Sequence, residues 1–199
     1  MKTNIILSGV GGQGILTIAA VLDTAALSEN LFIKQSEVHG MSQRGGAVQS
    51  HVRISDKEIF SDLIPEGKAD LILSVEPMEL LRYLHFLSED GWLVTDSEPF
   101  INTANYPDKN DLFDQIKKHP KNIIVNATEI AKSIGNSKVA NMVLLGAAST
   151  ILPLSEESLL AAITKLFQHK SERIIKLNQE AFFEGKRVAQ EFMNLAARE

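Results

Sequence analysis

The chain contains no cysteine in its 199 residues. That excludes disulfides, zinc sites built on thiolates, and any iron–sulfur cluster ligated by the chain itself. No stretch approaches 18 consecutive apolar residues, so the sequence predicts no membrane-spanning helix. The apolar run Asn4 to Val10 is too short for a secretory signal, and a cytoplasmic location is expected. Positive charge is the scarcer sign: 20 Lys and Arg stand against 25 Asp and Glu, a net charge of −5. Such a balance gives no general attraction to nucleic acid or anionic membranes. The five histidines (39, 51, 85, 119 and 169) show no metal-ligand spacing. Gly40-Met41-Ser42-Gln43-Arg44 does not fit a nucleophile elbow.

The remaining composition, 44% apolar and 23% charged, is that of an ordinary globular domain. At roughly 150 residues per domain, one domain is expected over residues 1–199. Residues 1–137 alternate β-branched runs with helical periodicity. Strands are predicted at Asn4–Val10, Leu31–Val38, Ala47–Ser55, Ala69–Glu76, Trp92–Asp96 and Asn122–Asn126. A helix is predicted from Ile15 to Leu27, and another from Pro77, well placed in a first turn, to about Leu87. In Ala47–Ser55 the alternation of Val48, Val52 and Ile54 with Gln49, His51 and Arg53 predicts a half-exposed strand. Glu98 to Asn110, with two prolines, reads as a surface excursion.

Residues 138–199 are helical throughout and are expected to pack on the same core. Val139 to Leu152 reads as a buried helix. Ser155 is an N-cap with Glu156 and Glu157 behind it, and a last helix runs from about Ser171 to Ala197. The fold class is therefore α/β: a three-layer, Rossmann-like, mostly parallel sheet with helices on both faces and a helical C-terminal part.

Two glycine-rich segments carry the chemistry. Gly9-Val10-Gly11-Gly12-Gln13-Gly14 fits G-x-G-x-x-G between a buried strand and a helix, where backbone N–H groups and the helix dipole favour an anion. Glu37, at the end of the second strand, stands where a dinucleotide-binding acid would hold a ribose. The same glycines would equally serve a tight turn and packing against a neighbouring chain. Glu37-Val38-His39-Gly40-Met41-Ser42-Gln43-Arg44-Gly45-Gly46 gathers an acid, an imidazole, a hydroxyl, an amide and a guanidinium beside three glycines. The candidate ligand-binding residues are thus Gly9, Gly11, Gly12, Gln13, Gly14, Glu37, His39, Ser42, Gln43, Arg44, Gly45 and Gly46. As loops leaving neighbouring strands of a doubly wound sheet, the two segments should converge. No catalytic residue or metal ligand is assigned.

GVGGQG joined to SEVHGMSQRGG, with Val52-Arg53-Ile54-Ser55, Ala69-Asp70, Asn141 ahead of Leu144-Leu145-Gly146, and Asn178…Ala181-Phe182…Gly185, resembles the gamma domain of the 2-oxoacid:ferredoxin oxidoreductases. Within that family the indolepyruvate type, through its beta subunit, is the most similar. The resemblance implies oxidative decarboxylation of an aryl-2-oxoacid to an acyl-CoA, with thiamine diphosphate and iron–sulfur clusters on a larger catalytic alpha subunit and electrons passed to ferredoxin. It implies a non-redox subunit, inactive and colourless alone, whose glycine loops lie toward coenzyme A. A gamma subunit acting on pyruvate, ketoisovalerate or 2-oxoglutarate is the nearest variant. An autonomous NAD- or FAD-dependent dehydrogenase is the alternative from the motif alone, and a pure docking module is a third. An apolar face around Phe182, Phe183 and Gly146 is expected to let the isolated subunit dimerise.

Overall fold

The computed structural model describes residues 1–39 and 45–196. Six strands form one sheet: β1 (Lys2–Val10), β2 (Phe32–His39), β3 (Ala47–Ser55), β4 (Ala69–Ser74), β5 (Leu87–Asp96) and β6 (Asn122–Val125). Their spatial order is β2-β3-β1-β4-β5-β6. β1, β4, β5 and β6 are parallel neighbours, whereas β3 runs antiparallel to both β1 and β2. Chain length dictates this one reversal. Only residues 40–46 separate β2 from β3, too few for a parallel crossover, so the pair closes as a hairpin.

Alternation along the central strands assigns two cores. Ile5, Leu7, Leu71, Leu73 and Val94 point to one face, under α1 (Ile15–Ser28), α4 (Ala127–Ser133), α5 (Ala140–Ala148), α6 (Glu156–Phe167) and α7 (Glu172–Ala196). Ile6, Ile72 and Leu93 point to the other, under α2 (Pro77–Arg82) and α3 (Lys109–Lys117). Helices thus cover both faces, as parallel strands buried on both sides require. Ser155 accepts from the Ser158 N–H and caps α6, with Glu156 and Glu157 in the first turn. Glu29, just past α1, accepts hydrogen bonds from Ser155 and Ser158 and ties the two helices together.

Three expectations are corrected. The helix beginning at Pro77 stops at Arg82, a short 3-10 turn follows at Leu84–Phe86, and β5 starts at Leu87. The polar face of β3 is not exposed: His51 and Arg53 retain only 4% and 7% of their accessible surface. The segment 56–68 folds over them. Arg53 Nη1 donates to the Ser61 and Leu63 carbonyls, Nε donates to Asn4 Oδ1, and His51 Nδ1 accepts from the Ile64 N–H at 3.0 Å. Alternation with polar residues therefore marks two covered faces here, one of them covered through hydrogen bonds.

The third correction concerns the supposed apolar docking face. Phe182 is fully buried and Gly146 lies inside the α5–α7 contact. A Cβ on Gly146 would stand 1.9 Å from the Phe182 carbonyl oxygen, and one on Gly185 would stand 1.8 Å from that of Val143. Each glycine admits the backbone of the opposite helix, so the two axes approach closely. Phe183 is 45% exposed, and Phe192 and Leu195 of the predicted α7 stripe are also exposed. Other exposed apolar side chains stand on α1 (Leu16, Leu27), on β2 (Phe32, Val38) and at Phe60.

Asp23 is the single acid of α1. Its Oδ1 is buried without a hydrogen-bond partner among the described residues, and burial pushes its carboxyl up from 3.8 to about 6. Because the folded-state value lies above the unfolded one, the charged form is penalised: the cost is absent below about pH 4, grows between pH 4 and 6, and is complete above. The full displacement would correspond to about 3 kcal/mol, and partial solvation of the side chain lowers this to roughly 1–2 kcal/mol. Asp23→Asn should therefore raise the unfolding temperature by a few degrees at pH 8 and leave it unchanged at pH 4. Equal changes at both pH values would show that charge is not the cause.

Candidate functional site

The first glycine loop begins where β1 ends. Val10 N–H donates to Gln13 Oε1 at 2.7 Å and Gln13 N–H to the Val10 carbonyl at 3.1 Å, closing the turn locally. Gly14 then enters α1 with φ +82°, a left-handed conformation that glycine alone adopts without strain. There is also no room for a side chain, since a Cβ would lie 2.5 Å from Asn141 Nδ2. That amide donates to the Gly14 carbonyl at 3.2 Å and ties the start of α1 to α5. α1 has neither a side-chain cap nor an acidic residue in its first turn, so its N-terminal dipole is not offset locally.

The second glycine segment meets the first. Gly11 N–H donates to the Gly46 carbonyl at 2.8 Å, and Gly45 N–H to the Gly11 carbonyl at 3.3 Å. At Gly45 and Gly46, the described end of the second segment, the expected convergence is therefore present, through a different route. β2 is not beside β1; β3 lies between them, and its antiparallel pairing of Ala47 with Val10 brings the loop back. Ser42, Gln43 and Arg44 lie outside the described residues, and His39 is described only as the last position of β2.

Two hollows flank the first loop. The smaller, about 480 Å³, is lined by Val10, Gly11, Gly12, Gly14, Ile15, Leu16, Glu37 and Val48. Glu37 thus reaches the loop's surroundings, but from the edge strand, opposite Ser50 and across β3. A dinucleotide site would place that acid on the strand beside β1. The larger crevice, about 750 Å³, lies at the carboxyl ends of β1, β4 and β5. Gly12, Gln13 and Gly14 form one side of it, Lys138, Asn141 and Asn178 another, and Asp96, Glu98, Pro99 and Phe100 a third.

Asp96 ends β5 and is 3% exposed. Burial pushes its carboxyl above the usual range, against hydrogen bonds from Thr128, Glu98 and Ala127 that favour the charged form. Its oxygens accept from Thr128 Oγ1 at 2.6 Å and from the Ala127 and Thr128 N–H groups at the start of α4. The acid therefore fixes the crevice wall to α4. Lys138, Phe100 and Asp96 were not among the sequence-predicted site residues. An acid closing a parallel strand was the one signal available for Asp96; the other two depend on how loops cross the sheet.

The crevice wall carries, among the described residues, one cation, Lys138, and two acids, Asp96 and Glu98, with the uncapped start of α1 on one side, where a helix N-terminus favours an anionic group. Among the described residues, no group of three or more His, Cys, Asp or Glu side chains is arranged to hold a metal ion. No helix of the described residues is long and apolar enough to cross a membrane.

Comparison with known proteins places this geometry in a family. The chain is 38% identical to the indolepyruvate oxidoreductase subunit IorB of Thermococcus kodakarensis, with 96% of this chain and 98% of that protein covered. Its fold matches the gamma subunit of a keto/oxoacid ferredoxin oxidoreductase from Geobacter sulfurreducens, with a TM-score of 0.71, 28% identity, and coverage of 95% of this chain and 99% of the other. It also matches part of the 2-oxoglutarate:ferredoxin oxidoreductase of Magnetococcus marinus, with a TM-score of 0.78 and 22% identity. There it covers 96% of this chain and spans only 31% of that much longer one. The pyruvate ferredoxin/flavodoxin oxidoreductase family model matches residues 4–188, and the chain belongs to that family.

Proposed function

We propose that the chain is the small, non-redox subunit of an aryl-2-oxoacid oxidoreductase of the indolepyruvate type, acting as one domain over its whole length. The observation that carries this reading is the 38% identity to an indolepyruvate oxidoreductase subunit over nearly the full length of both chains. The complex would convert a 2-oxoacid and coenzyme A to an acyl-CoA and carbon dioxide, passing two electrons to ferredoxin. The chain has no thiolate to ligate an iron–sulfur cluster and no Gly-Asp-Gly of the thiamine diphosphate motif. Both cofactors belong on a larger partner subunit. The contribution of this chain is binding: the glycine loops and the crevice beside them receive the phosphates of coenzyme A, with Arg44 as the charged member of the second loop.

Coexpression with the larger thiamine-binding subunit tests the reading. The purified complex should reduce ferredoxin faster with indolepyruvate than with pyruvate or 2-oxoglutarate, and only when coenzyme A is present. A preference for either aliphatic oxoacid would remove the aryl assignment. Purification of this chain with bound NAD or FAD would replace the whole reading with the dehydrogenase one.

A further inference from the structure

The excursion between β5 and α3 is tied down at both ends of its reach. Glu76, at the carboxyl end of β4, is fully buried. Its Oε2 accepts from the Glu79 N–H at 2.8 Å, capping α2. Its Oε1 faces the excursion and accepts from the Phe100 N–H at 3.4 Å and from the Tyr106 hydroxyl. Burial and the adjoining carboxylate push the Tyr106 hydroxyl above its ordinary range, so it stays a donor at any working pH. Between these two anchors, Asn102 Nδ2 donates to the Gly45 carbonyl at 3.0 Å. Gly45 in turn donates to Gly11. Hydrogen bonds joined through the backbone of residues 100–106 thus link a buried carboxylate under the sheet end to Gly45 and, through it, to Gly11. Pro99 and Phe100 of the same segment line the larger crevice.

A fully buried carboxylate is costly unless its oxygens are satisfied. Glu76 receives two of its three hydrogen bonds from and through an otherwise irregular segment, which therefore has one stable placement rather than many. We propose that Glu76 and Tyr106 are a positioning pair for the ligand crevice: they fix the segment whose Glu98, Pro99 and Phe100 line its wall and, through Asn102, hold Gly45, without touching the ligand. The inference rests on the reading that coenzyme A occupies this crevice.

The test uses the complex with its larger subunit and the variants Tyr106→Phe, Asn102→Ala and Gly14→Ala. Tyr106→Phe keeps the ring and removes only the donor; Asn102→Ala breaks the later link from the exposed side. Both should raise KM for coenzyme A by about three- to tenfold with kcat little changed. Amide hydrogen exchange at Gly45 and Gly46 should quicken in both, by about tenfold, and at residues 98–104 in Tyr106→Phe alone. Unaltered exchange at Gly45 and Gly46 in both variants overturns the proposal. So does a KM that moves in Gly14→Ala but in neither of the other two, an outcome that leaves the coenzyme A reading standing. A KM unmoved by Gly14→Ala defeats the coenzyme A reading itself, and the positioning role falls with it.

Discussion

Gly185→Ala should lower the unfolding temperature of the subunit by about 6–12 °C, the equivalent of roughly 3 kcal/mol for a chain of this size. Helix propensity alone predicts the opposite sign. Gly185 lies well inside the 25-residue α7, where alanine is favoured over glycine by about 1 kcal/mol. The difference is the neighbour. A Cβ there would sit 1.8 Å from the Val143 carbonyl oxygen and 2.6 Å from its carbon. Those are backbone atoms, so no side-chain rotation relieves the overlap and α5 must move as a unit. Gly146→Ala should behave alike, because its added carbon meets Phe182 backbone in the same way. Thermal unfolding of the two variants decides it: a temperature equal to or above that of the wild type in both would show that the helices separate freely.

Arg44→Ala should reduce kcat/KM of the assembled enzyme by roughly tenfold to a hundredfold, the loss expected for one charged hydrogen bond of about 1.5–3 kcal/mol. Arg44 directly precedes Gly45, whose N–H is held on Gly11, so the second segment is anchored beside the first on this side. Gly14→Ala should reduce the same quantity by at least about tenfold by another route. The new Cβ would meet Asn141 and place an alanine at φ +82°, shifting the start of α1 where it lines the crevice. Steady-state kinetics with coenzyme A as the varied substrate separate the effects from general damage, because ferredoxin and oxoacid saturation should move less. Unchanged kinetics in Arg44→Ala would show that this segment serves only to dock the larger subunit.

Much of the architecture follows from local pattern. The apolar run Asn4–Val10 reads as a strand covered on both faces, and the glycines after it as the turn of the chain into α1. Ser155 with two acids behind it fixes the start of α6, and the absence of cysteine settles that this chain carries no iron–sulfur cluster by its own thiolates. The glycine loop as a turn into a helix start was legible for the same reason: its signals lie within six consecutive residues.

What tertiary structure alone decided involves partners far apart in sequence. His51 and Arg53 read as solvent-facing because alternation reports polarity, whereas the Ser61 and Leu63 carbonyls fold back over Arg53 and the Ile64 N–H over His51. Gly146 and Phe182 read as a bare apolar face because small residues in a helix signal close approach without naming the helix that approaches. The meeting of the two glycine loops was anticipated, yet its cause is the reversal of β3, which places strand order rather than chain order in control. Glu76, Tyr106 and Asn102 span 30 positions, and the bond from Asn102 to Gly45 joins residues 57 apart. No periodicity records such a line, because hydrogen bonds between irregular segments are fixed by where the sheet ends bring them and by the cost of leaving a buried carboxylate unpaired.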